Sequence, residues 1–285
     1  MAAFASLSKR DINVLGKIKD PESNPTGAVR LDGSLPRDPH VTDAQQYDRI
    51  SREEKELVLQ MQQAEMELAG VRPQSLADPI HTYRQSVESL DCLIASHPSY
   101  ASARNNRAQA LRRLYGDDML LQRDHSETTR SPSNVANGSQ PLLWDVPDIE
   151  AERAQAAAIV LADLERCIAL LVPSNPAAAT LSPTAAKTLS LAFTQRAAIY
   201  YATAKRIGPS TKVITPLSAT GEHGGRPEVQ WTKLDFEEAA SRDFAMGGRF
   251  GNDIARGLAV GTNPTAKLCG QMVQQMMKNE YGSLS

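Results

Sequence analysis

The sequence predicts an all-α protein, and three observations carry that prediction. Apolar residues recur at spacings of three and four through most of the chain, the period of one helix face. Only 5% of residues are aromatic although 41% are hydrophobic. Alanine supplies much of that apolar share, so interior surfaces must approach closely, which favours packed helices over a sheet rich in Val, Ile and Tyr. The periodic segments alternate with stretches crowded with Pro, Gly, Ser and Asp, which read as connections. The chain has 285 residues, enough for one or two domains with a sizeable core.

The elements follow in order. Residues 1–50 read as a mobile N-terminal arm, because "DPESNPTGAVRLDGSLPRDPHVTDAQQY" (20–47) has no sustained period. Residues 51–279 form the helical domain, and 280–285 a tail. The first helix is predicted from Ser51, with Glu54 completing a capping box, and Leu57, Met61, Ala64 and Leu68 mark its face. A connection at 71–79 follows. The second helix spans about 77–96, with Ile80, Tyr83, Val87, Leu90, Leu93 and Ile94, and ends at His97-Pro98. The third carries "ARNNRAQALRRL" (103–114), with Ala101, Ala108, Leu111 and Tyr115 inward, and Gly116 stops it. Residues 117–148, around "SETTRSPSNVANGSQP", read as an inserted loop. A fourth helix over about 149–171 aligns Val160, Leu164, Cys167 and Leu171. A fifth near 184–206 aligns Leu189, Phe193, Ala197, Tyr200 and Ala204. A second Gly/Pro-rich insertion covers 207–230. A sixth helix spans about 231–246, with Phe236, Ala240 and Phe244, and two more lie near 252–260 and 264–279. The last starts well, with Asn263 as N-cap and Pro264 in the first turn.

Several function classes are disfavoured. Net charge is −2, so no general attraction to nucleic acid or lipid follows. The cluster Arg104, Arg107, Arg112 and Arg113 is a candidate nucleic-acid patch, but nearby acids such as Asp117 and Asp118 offer it partners. No segment has the apolar length needed to span a bilayer. Cys92, Cys167 and Cys269 are odd in number and widely spaced, and each falls in an apolar helical pattern, so all three are expected as buried thiols of a cytoplasmic protein. The histidines (His40, His81, His97, His125 and His223) show no metal-ligand spacing. "GEHGGRPE" (221–228) and "MGGRFG" (246–251) follow no strand, so neither makes a phosphate loop. The expectation is a protein that is not an enzyme and uses no cofactor or metal.

The helices come in pairs, and small residues where helices touch are a mark of the tetratricopeptide repeat. Ser86, Leu90, Leu93 and Pro98 fit the second helix of such a pair, as do Val160, Leu164, Cys167 and Pro173 with one residue of shift. Thr232, Phe236 and Ala239 give a third set without the proline. Ala108 and Ala197 stand at the first-helix contact points, with Met61 as an oversized counterpart. The blocks "ASARNNRAQALRRLYGD", "LADLERCIAL", "DFEEAASRDFAMG" and "NPTAKLCGQMVQQMM", with "VLGKIKDPESNPTGAV" ahead of them, resemble the tetratricopeptide repeat protein 36 family. The long insertions depart from that family's compact form. The resemblance implies three tetratricopeptide-type pairs in a right-handed solenoid with C-terminal capping helices. It also implies a protein-binding scaffold linked to Hsp70-type chaperones and to tyrosine metabolism.

Superfamily members that hold chaperone C-termini clamp the terminal carboxylates with Lys, Asn and Arg posts. Carried over, Asn106 keeps its post. Val58 and Gln62 take the first-repeat positions, and Leu191 and Gln195 the third-repeat ones, with Arg196 one residue away. The groove residues expected here are therefore Gln62, Asn106, Gln195 and Arg196. The competing reading makes Asn105 and Asn106 caps of the preceding loop, and lets the stem of Arg107 cover a neighbouring helix. The last helix, with Leu268, Met272, Val273, Met276 and Met277, is expected to cap the core; the competing reading is an adaptable Met-rich partner site, with Met277 off the main stripe and free to stay exposed.

Overall fold

The computed structural model describes residues 29–73, 78–122, 141–143, 146, 149–173, 180–208, 213 and 226–281. Among them are eight α-helices: α1 Ala44–Leu68, α2 Pro79–Ser96, α3 Ala101–Tyr115, α4 Glu150–Leu171, α5 Pro183–Arg206, α6 Lys233–Arg249, α7 Asp253–Thr262 and α8 Pro264–Tyr281. Two short strands, β1 Arg30–Leu31 and β2 Thr180–Leu181, pair in parallel with Arg30 opposite Thr180. The all-α expectation holds. None of these helices is long and apolar enough to cross a membrane. The segments 1–28, 123–140, 209–212 and 214–225, which contain His125, His223 and most of both insertions, lie outside the described residues.

Local chemistry sets the helix starts. Asp78, Ser182 and Asn252 accept backbone N–H groups at the starts of α2, α5 and α7, and Pro79 and Pro183 follow the first two caps. Thr232 and Asp235 form a reciprocal capping box on α6. Asn263 accepts from Thr265 and Ala266, as its sequence context predicts. Gly116 ends α3 at φ 88°, in the left-handed region that favours glycine.

The first helix departs from expectation. It begins seven residues before Ser51, capped by Asp43. Tyr47 and Ile50 are buried and carry the apolar face back into text that reads as loop, so the predicted box at Ser51 is an interior turn. The described part of the predicted mobile arm is likewise packed. Asp32 N–H donates to Leu181 O (2.9 Å), Ser182 Oγ donates to Arg37 O (3.1 Å), and His40 Nε2 lies 3.0 Å from Leu170 O. Val41 joins Tyr47, Ile50, Leu90, Leu93, Ile94, Tyr100 and Ala103 in a small core of its own.

The insertions also contribute interior residues where they are described. Met119, Leu120, Leu121 and Leu143 are buried. Leu121 pairs with Val213 in an isolated antiparallel bridge, joining the two insertions to each other. Glu228, at the end of the second, is buried and accepts from Tyr200 Oη at 2.9 Å. Cys167 is buried as expected, and burial pushes its thiol up to about 12. Cys92 and Cys269 are exposed, contrary to the expectation that their apolar neighbours set.

Contacts along each hairpin show that its helices run antiparallel. Glu65 late in α1 meets Tyr83 early in α2. Arg107 meets Asp163 while Tyr115 meets Glu152 across α3 and α4. Ser190 meets Gly247 while Tyr200 packs on Phe236 across α5 and α6. The first helices of successive pairs run parallel. Glu54 and Glu65 on α1 face Asn106 and Arg113 on α3, and Asn105 on α3 with Asp118 just beyond it face Gln195 and Arg206 on α5.

This geometry corrects the register of the third pair. Arg107 precedes Ala108 and binds Asp163, which precedes Leu164; Arg196 precedes Ala197 and binds Asp243, which precedes Phe244. The set equivalent to Val160, Leu164 and Cys167 is therefore Ala240, Phe244 and Gly247, all buried, and not Thr232, Phe236 and Ala239. Thr232 lies outside the helix as its cap. Glycine at 247 and 248 has a steric reason. A Cβ on Gly247 would stand 2.6 Å from Thr194 Oγ1, and one on Gly248 would stand 2.8 Å from the Arg256 backbone.

The predicted terminal cap fails. Leu268, Met272, Val273, Met276 and Met277 are all exposed, because α8 meets the body near its start rather than along its apolar face. Lys267 makes that contact, pairing with Glu237 at 3.0 Å and lying 5.9 Å from the Tyr201 ring.

Ala in place of Gly in a helix ordinarily stabilises by up to about 1 kcal/mol, but here Arg256 backbone atoms cannot rotate aside. Gly248→Ala is expected to lower unfolding free energy by about 1–2 kcal/mol, read by urea denaturation with circular dichroism.

Candidate functional site

The four expected groove residues divide among different tasks. Gln62 is exposed on α1. Asn106, half-buried on α3, donates through Nδ2 to Glu54 Oε1 at 2.7 Å. Gln195 is buried on α5 and donates through Nε2 to Asn105 Oδ1 (2.8 Å) and Asn105 O (3.2 Å), while its Oε1 accepts from Arg112 (3.0 Å). Arg196 faces away from that seam and grips Asp243 of α6 through Nε (2.6 Å) and Nη2 (2.8 Å). Asn106 thus reaches back to α1 and Gln195 to α3, although their helices lie side by side. The two asparagines of "ARNNRA" do not cap the loop before α3; they join α3 to the helix on either side.

Glu54 is the centre of the first junction. It accepts from Tyr100 Oη and from Asn106, and is almost fully buried. Burial pushes its carboxyl above the usual range, against the hydrogen bonds of Tyr100, Ser102 and Asn106, which favour the charged form. Burial and the neighbouring Glu54 charge push the Tyr100 phenol up in turn.

Asp163 is the centre of the second junction, at 1% exposure. Arg107 donates to it from Nε (2.6 Å) and Nη2 (2.7 Å), and Arg104 from Nη1 (3.0 Å). Two guanidinium groups on one carboxylate supply the charge-assisted bonds that a desolvated anion needs. Arg112 binds Asp117 and Arg113 binds Glu65. All four arginines of the basic cluster are therefore engaged by carboxylates of the chain. Arg196 meets the same need at Asp243, whose carboxyl is held high by burial and partly drawn back by that arginine.

Arg153 was not singled out by sequence reasoning. It is fully buried and donates to the carbonyls of Asp118 and Leu121 and to Asp118 Oδ1 (3.0 Å), so it ties the first insertion to α4. Its position in a run of alanines gave no periodic signal. Glu54, Asn105 and Asp163 were also missed as site residues. The paired text Arg107-Ala108 and Arg196-Ala197, answered by Asp163-Leu164 and Asp243-Phe244, is the signal that identifies Asp163; Glu54 and Asn105 carry no such pattern.

Chemically, this face joins helices by amide and carboxylate bonds. Among the described residues, no group of three His, Cys, Asp or Glu side chains is placed to hold a metal ion. Gln62 on α1, Gln109 on α3 and Leu191 on α5 remain exposed on the first helices of the three pairs.

Two outcomes test this geometry. Removing one side of a buried pair strands the other charge, so Asp163→Ala is expected to lower stability by about 3 kcal/mol, measured by denaturant midpoint at constant slope. Folded Glu54 takes up its proton at a higher pH than the unfolded chain does. Its contribution to stability therefore falls as pH rises from the unfolded value, about 4.3, through the folded one. Unfolding free energies measured between pH 4.5 and 7 are expected to show a smaller fall in Glu54→Gln than in wild type; equal slopes would remove Glu54 as a source.

No family model and no solved structure matches the chain, so the motif resemblance to tetratricopeptide repeat protein 36 gains no family-model support. Over 281 residues the chain is 30% identical to the L-tyrosine degradation gene cluster protein hmgX of Aspergillus fumigatus. The match takes in 96% of this chain and 93% of that protein. The chain therefore belongs to the family of the L-tyrosine degradation gene cluster protein hmgX.

Proposed function

We propose that the protein is a non-enzymatic scaffold or chaperone-linked adaptor in the breakdown of tyrosine. Its helices are tetratricopeptide-type pairs in a right-handed solenoid, and it binds a protein partner on the first helices of those pairs. The observation that carries this reading is the kinship, over nearly the whole of both chains, with a protein named for a tyrosine degradation cluster. Support also comes from the repeated Arg–Asp registers at Arg107–Asp163 and Arg196–Asp243, which give successive pairs one design.

The docking mode is not a carboxylate clamp. Gln195 is buried between helices and Arg196 is held by Asp243, so neither is presented to an acidic terminus. An Hsp70-type chaperone or a pathway enzyme would meet the exposed Gln62, Gln109 and Leu191 instead.

A strain lacking the gene is expected to grow poorly on L-tyrosine as sole carbon source and normally on glucose. Re-expression of wild type restores growth, whereas a folded Gln62→Arg/Leu191→Arg double variant does not. Normal growth of the deletion strain on tyrosine would sink the pathway assignment. Full rescue by the double variant would sink the docking surface alone. Turnover of tyrosine-pathway intermediates by the purified protein would sink the non-enzymatic reading.

A further inference from the structure

The C-terminal end of the array carries an apolar surface that its own described helices leave uncovered. On α7, Ile254, Leu258 and Val260 are exposed; on α8, Leu268, Met272, Val273, Met276 and Met277 are exposed. These eight large side chains are each 41–76% accessible. The α8 residues form two adjacent ridges at four-residue spacing, Leu268–Met272–Met276 and Cys269–Val273–Met277. The polar edge of α8 turns toward the body through Lys267, so the ridges face outward.

We propose that this surface is a homodimer interface, in which α7 and α8 of one copy dock on the same helices of a second copy. Area is the first argument. Leu268, Met272, Val273, Met276 and Met277 on α8, with Ile254 and Leu258 on one face of α7, amount to several hundred Å², the upper end of what a monomer ordinarily leaves open. That approaches the roughly 800 Å² that each partner gives to a standard interface.

Shape is the second. A two-fold contact requires one patch to hold both knobs and the hollows that receive them. The ridges are the knobs. Gly257, Gly261 and Gly270 supply open positions, since a Cβ at any of them would meet nothing within 4 Å. A partner helix can approach the backbone there.

Charge is the third. The patch is bordered by Asp253 and Arg256 on α7 and by Lys278 and Glu280 on α8, two of each sign, so two copies bring no net repulsion. A lipid surface would be favoured by a basic border, and this border is neutral.

The test is the mass of the full chain in solution, by sedimentation equilibrium from low to high micromolar concentration. Wild type is expected to reach twice the 30.9 kDa chain mass. Met272→Glu/Met276→Glu alters only exposed positions. It is expected to keep the wild-type circular dichroism and melting temperature while weakening self-association at least 100-fold. A wild type that stays at 30.9 kDa throughout overturns the proposal, as does a dimer that persists in the double variant. Cosedimentation of monomeric wild type with neutral or anionic vesicles, lost in the variant, would overturn it in favour of a lipid surface.

Discussion

A buried aspartate held by an arginine of the facing helix is the interaction on which this architecture turns. It occurs at Arg107–Asp163 and again at Arg196–Asp243. A carboxylate removed from water is tolerated only when its oxygens are filled, and guanidinium geometry fills both at once. One register of the two helices satisfies that condition, because a slide of one turn leaves the charge stranded. Ala108 and Ala197 follow those arginines directly and are fully buried. Close approach and charge pairing therefore select the same alignment. The first pair has Met61 at the contact position and Gln60 before it. It relies on Tyr83–Glu65 and on the small core around Ile50 and Leu90 instead.

Between pairs, the polar bonds join first helix to first helix. Glu54–Asn106 and Glu65–Arg113 set α1 against α3, and Asn105–Gln195 sets α3 against α5. This has a functional consequence. Asn105, Asn106 and Arg196 are spent here on holding the helices together. Gln62, Gln109 and Leu191 stay exposed on those helices, beside charged side chains such as Arg52, Lys55 and Lys187.

The segments between the helices are structural where they are described. Residues 29–43 lie across the connections before α3 and α5, where β1 meets β2 and Ser182 binds the Arg37 carbonyl. Arg153 and Arg206 converge on Asp118, so the start of the first insertion is bound to α4 and α5 together. Elements that read as connections thus complete the core that the helices alone leave open, as burial of Met119, Leu120 and Leu143 requires.

The sequence by itself determined the helix count among the described residues, most helix boundaries and the central stripe of the inward face on most of the helices. Those properties depend on periodicity, caps and breakers within one or two turns of chain, and Asn263-Pro264 and Thr232–Asp235 act at that range. Tertiary structure decided the partners. Whether Arg196 faced a groove or Asp243 depends on an alignment across 47 residues, and Arg107 finds Asp163 across 56. No local pattern encodes such a choice, because an arginine beside a small residue reads alike in either role. The same reason hid the outward face of α8. Its apolar stripe is written in the sequence, but whether a helix covers its own core or leaves that stripe open is settled by where the preceding turn aims it.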